Sequence, residues 1–167
     1  RMTAQRMVMG DRTVELEPPI EATEGRLRQA IEVGALCNGA ERDAEDPSQS
    51  TGDPLELALL ELGAEAGRPR ETLLEEKALV RTVEFTRDTN MMATYHESDG
   101  ACLVAVKGSP EAVLEASTHV WGPDEREPLD ENGRREWAER SENLAEKGLR
   151  VLALARKTVD QARSEEH

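Results

Sequence analysis

The chain's 167 residues predict an α+β fold, an antiparallel sheet of about six strands flanked by helices. Three observations carry that prediction. Apolar residues recur at helical spacing through Leu27, Ala30, Ile31, Gly34 and Ala35, and again through Leu55, Leu59 and Leu62. From Leu79 onward the pattern switches to alternation, with strand-like runs over 79–86, 91–97 and 101–107. Only Ser98-Asp99-Gly100 separates the last two runs, so they pair as a hairpin and are antiparallel.

Arg6-Met7-Val8-Met9 and Thr13-Val14-Glu15-Leu16 form a short hairpin around Gly10-Asp11, where the glycine accepts positive φ. Pro18-Pro19 stops its second strand, because proline has no N–H to donate to a ladder. Thr23 caps a first helix that ends near Cys37-Asn38-Gly39. Residues 41–51 are acidic and carry Pro47, Ser48 and Ser50, so they read as a mobile loop. Asp53-Pro54-Leu55-Glu56 opens a second helix with an N-cap, a proline at the first helical position and a carboxylate placed to return to the cap. After Gly67 to Pro69, a short charged helix covers Glu71 to Lys77. Beyond the alternating runs, Ser109-Pro110 opens a helix to about Ala116, and Thr118 to Trp121 forms another strand. Asp130 to Lys147 is a helix with Trp137, Ser141 and Leu144 on one face, stopped by Gly148. Leu149 to Arg156 is the closing strand. Residues 1–157 are read as one domain without internal repeats, and 158–167 as a frayed tail.

Composition narrows the function classes. The 21 Lys and Arg against 35 Asp and Glu leave a net charge of −14, which excludes a duplex-binding role, since neutralising phosphates needs a basic face. No nucleic acid partner is expected. The apolar runs 101–106 and 151–155 fall far short of the roughly 18 residues that cross a bilayer, so no direct membrane insertion is expected. No signal peptide is visible at the amino end. Cys37 and Cys102 stand apart among small apolar residues, as buried thiols of a reducing, cytosolic compartment do. His96, His119 and His167 share no ligand spacing with each other or with the cysteines, so no metal site is expected. The expected state is a monomer.

The residues offer one chemical opening. There is no GxxxxGK[ST], no GxGxxG after a strand and no Ser–His or Cys–His pair, so no catalytic residue is assigned. Between Arg81 and Pro110, three basic residues face four acidic ones, the region of the chain least hostile to an anion. It holds Phe85, the only phenylalanine, and Lys107. If strands 79–86 and 101–107 share a sheet, the ring and the ammonium stand together with Arg150 on the terminal strand. An aromatic platform ringed by cations suits a purine nucleotide, because stacking contributes about 1 to 3 kcal/mol per base and cations answer phosphates. The other reading is an ordinary core phenylalanine and a lysine snorkelling at a strand end.

Several short segments resemble, in order, the nucleotide-binding domain of P-type cation-transporting ATPases, the calcium-pump-like branch above all. Lys107-Gly108-Ser109-Pro110-Glu111 is similar to the family's KGAPE. Cys37-Asn38-Gly39-Ala40 resembles CNDA, and residues 52–59 resemble GDPTE-x-AL. Phe85-Thr86-Arg87-Asp88 resembles FSRD, and residues 148–153 match GLRVLA. Arg1-Met2-Thr3 is similar to the RMT that follows the phosphorylation motif DKTGTLT, which this chain does not contain. The resemblance covers residues 1–157.

The resemblance implies the cytoplasmic nucleotide-binding domain of a membrane pump, holding ATP or ADP while a separate phosphorylation domain supplies the acceptor aspartate and most of the Mg2+ contacts. An actuator domain is the further partner it implies. Phe85 matches the adenine-stacking position, Lys107 the lysine at the pocket floor, and Gly108 a glycine that lets backbone approach the base or merely turns the chain. Glu56 matches a carboxylate that accepts from the adenine amino group, although a capping box explains it equally well. Arg150 and Arg87 match basic positions near the phosphates, or are solvated charges. Two departures stand out: Asn90 occupies the place of a second lysine, and Gly39 replaces the aspartate of CNDA. The absence of a His-Pro pair argues against the heavy-metal branch. The fragment alone is expected to bind ATP and not to hydrolyse it. An acidic interaction module docking a partner through residues 124–142 is the competing reading, and a self-contained phosphohydrolase lacks its nucleophile motif.

Overall fold

The computed structural model describes residues 2–10, 13–17, 20, 25–43, 45–122 and 125–160. The expected Thr23 cap, the Pro18-Pro19 stop, Asp11 of the first turn, Arg1 and residues 161–167 of the expected tail lie outside them. Among the described residues, eight strands and five α-helices follow one another as β1 (Arg6–Val8), β2 (Thr13–Glu15), α1 (Gly25–Leu36), α2 (Pro54–Glu65), α3 (Arg70–Glu76), β3 (Leu79–Val83), β4 (Met91–Ser98), β5 (Ala101–Gly108), α4 (Pro110–Ala116), β6 (His119–Trp121), β7 (Arg126–Pro128), α5 (Glu131–Glu146) and β8 (Ala153–Asp160). The α+β class is as expected. The strands divide into a central sheet ordered β3-β4-β5-β8 and two hairpin sheets, β1-β2 and β6-β7.

Every pairing in the central sheet is antiparallel. Asp99 and Gly100, at φ 49° and 79°, make the tight turn between β4 and β5, so Ser98 pairs directly with Ala101. Alternation then gives the sheet two apolar faces. Met92, Leu103 and Ala105 pack with Val33, Leu36 and Cys37 of the α1 region, Leu60 of α2 and Leu73 of α3. Tyr95, Cys102 and Val104 form a separate cluster on the opposite face. Arg68 ties α1 to α3, reaching Glu32 at 2.8 Å and Glu76 at 3.0 Å.

Three boundaries differ from the sequence reading. β3 stops at Val83, so Phe85 lies beyond the strand in the 84–90 connection. β8 begins at Ala153 and not at Leu149, because its partners are the whole of β5, from Asp160 opposite Ala101 to Ala153 opposite Gly108. Arg150 therefore precedes the strand, and residues 158–160, expected in the tail, complete the ladder. β7 was not expected at all.

Candidate functional site

One end of the central sheet brings together the elements that carry the six candidate nucleotide-site residues, Glu56, Phe85, Arg87, Lys107, Gly108 and Arg150. Met91 opens β4 opposite Gly108, which closes β5 opposite Ala153, the first residue of β8. Lys107 is one position inside that end, paired with Met92 and Leu154. Phe85 and Arg87 follow the end of β3, and Arg150 precedes the start of β8. Glu56 comes from the first turn of α2 and reaches the same place.

Lys107 shares the face of Leu103 and Ala105, the side covered by α1, and is only 7% exposed. An ammonium there needs a counter-charge. Glu56 supplies it: Lys107 Nζ donates to Glu56 Oε2 at 2.6 Å, and the Gly39 N–H donates to the same oxygen at 2.7 Å. Glu56 Oε1 accepts nothing from the described residues. The capping box does not form. Asp53 caps α2 by accepting from Leu55 N–H at 2.7 Å, while the Glu56 carboxylate turns away to the lysine.

The Asn38 amide bridges α1 and α2 at this corner. It is 3% exposed, donates to the carbonyls of Gly34 at 3.1 Å and Glu56 at 2.8 Å, and accepts from Ala40 N–H at 2.9 Å. Gly39 itself is exposed, and a Cβ there would stand 3.7 Å from Glu56 Oε2. The loop is held without an aspartate at position 39. Cys37 Sγ donates to the Met92 carbonyl at 3.3 Å, and burial pushes its thiol up to about 11, so it is no nucleophile.

Phe85 is 56% exposed, although large apolar side chains normally seek burial. Arg87 and Arg150 are exposed, and among the described residues neither has a hydrogen bond or ion pair. Gly108 is buried under the start of β4: a Cβ on it would collide with the Asn90 carbonyl oxygen and stand 2.8 Å from Met91 Cγ. The arrangement is an exposed aromatic ring, a neutralised ammonium with one spare carboxylate oxygen beside it, and two uncommitted guanidinium groups. The sequence flagged all of these, but it could not show that Asn38 and the Gly39 N–H orient Glu56, because their motif names no partner.

A concavity of about 370 Å³ opens elsewhere, among Gly10, Val120, Leu129, Trp137 and Arg140. Its cation is already used: Arg140 donates to the Met9 and Gly10 carbonyls at 3.3 and 3.1 Å and lies over the Trp137 ring. No residue of the sheet end lines it.

Comparison with known proteins agrees with the fold. Residues 26–167 match the family described as P-type ATPase, cytoplasmic domain N, and the chain belongs to that family. It is 36% identical over 135 residues to the cation-transporting ATPase pma1 of Synechocystis, covering 80% of this chain and 15% of that protein. It is 33% identical over 162 residues to the endoplasmic reticulum calcium ATPase srcA of Aspergillus fumigatus, covering 81% of this chain and 17% of the relative. Against a calcium-transporting ATPase 1 of Bacillus cereus it is 30% identical over 128 residues, 77% and 14% of the two chains. The chain thus spans about one-sixth of the length of these relatives. The family is a cytoplasmic one, as the cysteine usage implied, and among the described residues no helix is long and apolar enough to cross a membrane.

Proposed function

We propose that this chain binds ATP at the sheet end formed by β3, β4, β5 and β8, and presents its phosphates to the phosphorylation domain of a longer cation-transporting ATPase. The observation that carries the proposal is Phe85, the chain's only phenylalanine, left 56% exposed at the same sheet end as the partly buried Lys107–Glu56 pair. Adenine stacks on the ring. Its amino group donates to Glu56 Oε1, which no group among the described residues uses, while the Lys107 ammonium meets ring or ribose acceptors. Gly108 contributes by letting the Asn90–Met91 backbone close on β5. Arg87 and Arg150 answer the phosphates. Mg2+ arrives with the triphosphate and is held mainly by the partner domain, where positioning and charge neutralisation perform the transfer. A hinge motion between domains brings the γ-phosphoryl group to its aspartate acceptor. With half the phosphate contacts elsewhere, the chain alone binds at high micromolar to millimolar levels, roughly −4 to −6 kcal/mol, and acts as a monomer.

Titration with ATP, ADP and adenosine, followed by amide chemical shifts, tests this. Shifts are expected at 85–90, 107–109, 149–151 and Glu56, without phosphate release. Phe85→Ala should weaken binding about tenfold or more, the loss of one stacked base. Silence at several millimolar ATP, or shifts confined to α5 and the 124–142 segment, would refute the assignment.

A further inference from the structure

We propose that Asn90 is a positioning residue for this site. Its left-handed backbone closes the Phe85 loop and pins it to the end of β5, an inference that rests on the nucleotide reading above. Residues 84–90 join β3 to β4 outside any ladder, and Phe85 lies among them. An exposed ring offers a stacking surface only where the backbone beneath it is already fixed, because ordering a loop at the moment of binding takes away affinity.

Position 90 does the fixing through its main chain. The Asn90 N–H donates to the Thr86 carbonyl at 2.8 Å, closing the turn. Its φ of 53° then reverses the chain into β4. The Asn90 carbonyl accepts from the Ser109 N–H at 3.0 Å, anchoring the loop two residues past Lys107. Gly108 makes that anchor possible, since any side chain there would occupy the place of the Asn90 carbonyl. Within the turn, the Thr86 and Thr89 hydroxyls lie 2.8 Å apart, and Thr86 Oγ1 accepts from the Thr89 N–H at 3.1 Å. The sheet and α2 set the Lys107–Glu56 half of the site, the loop sets the Phe85 half, and Asn90 joins them. Neither bond uses the amide side chain. What position 90 requires is a left-handed φ, which asparagine and glycine adopt readily and β-branched residues resist.

The test uses the whole chain in three variants: Asn90→Gly, Asn90→Val and Gly108→Ala. Two quantities are read, ATP affinity and the backbone order parameters of residues 85–90 without nucleotide. Asn90→Val and Gly108→Ala should drop the order parameters from near 0.85 toward 0.6, about the values of rigid and flexible backbone. Both should weaken ATP about tenfold, while Asn90→Gly stays within about threefold of the parent. An ordered loop and parental affinity in Asn90→Val would overturn the inference. So would an Asn90→Gly variant as impaired as Asn90→Val, since the amide would then be the active part. Because the order parameters need no nucleotide, a loosened valine loop in a chain whose parent ignores ATP would refute the nucleotide reading and leave Asn90 as the joint of the loop.

Discussion

A lysine that is 7% exposed needs a counter-charge, and at position 107 the carboxylate that supplies it comes from 51 residues away in the chain. The pairing makes two substitutions separable. Glu56→Ala strands a buried cation, and with its partner side chain 22% exposed the loss should be about 2 kcal/mol, below the 3 to 5 of a fully enclosed pair. Lys107→Met removes the desolvated charge while keeping the stem, and Glu56 retains the Gly39 N–H, so stability should change by less than about 1 kcal/mol. Urea unfolding measures both. ATP affinity should fall in each variant, so a destabilised Lys107→Met chain, or one that binds ATP like the parent, contradicts the separate roles. Glu56 also shows where sequence reading stops at this scale. Asp53-Pro54-Leu55-Glu56 has the spacing of a local capping motif, and spacing cannot reveal that a buried lysine competes for the carboxylate and wins because its need is greater.

Elements with strong local chemistry were legible, and those defined by distant partners were not. The Asp53 cap and Pro54 fix the start of α2, and Gly148 at φ 83° follows the end of α5, both as expected. β8 was displaced because Val151 and Leu152 look more like strand than Lys157 and Thr158, yet the ladder is set by β5 and runs through the polar residues along an exposed edge. β7, with Arg126, Glu127 and Pro128 all exposed, has no alternation to detect. Buried between elements, His96 is 0% exposed, its Nδ1 3.2 Å from the Lys77 carbonyl after α3 and its Nε2 2.7 Å from Thr94 Oγ1, which lies 3.4 Å from the Leu36 carbonyl of α1. Burial holds its pKa below the ordinary 6.5, and the nearby Arg70 and Lys77 charges act in the same direction. A lowered folded-state value means the unfolded chain takes the proton first, so the contribution is complete above pH 6.5 and is lost as pH falls through the folded value. Unfolding free energies measured from about pH 7 to about pH 5 should therefore decline, and decline less in His96→Gln, whose amide does not titrate over that range. Equal slopes in the two chains would show that other groups govern this window.

Over the whole molecule, a net charge of −14 repels the polyanion that the site is proposed to hold. In the proposed mode, Arg87 and Arg150 oppose that field only at close range, whereas Phe85 and Glu56 act on a neutral base. The balance predicts an unusual salt response. At about 10 mM ionic strength the screening length is near 30 Å, so acidic residues across the domain act on the phosphates; at about 150 mM it shortens to near 8 Å, and only the sheet-end cations remain effective. ATP affinity should rise as salt is added over this range, while adenosine affinity stays constant because its stacking and hydrogen bonds carry no net charge. Calorimetric titration of both ligands at the two ionic strengths measures the difference directly. If ATP binding instead falls several-fold with salt, phosphate-to-arginine contacts dominate the site, and the base-anchored mode built on Phe85 and Glu56 is incorrect even where ATP binds.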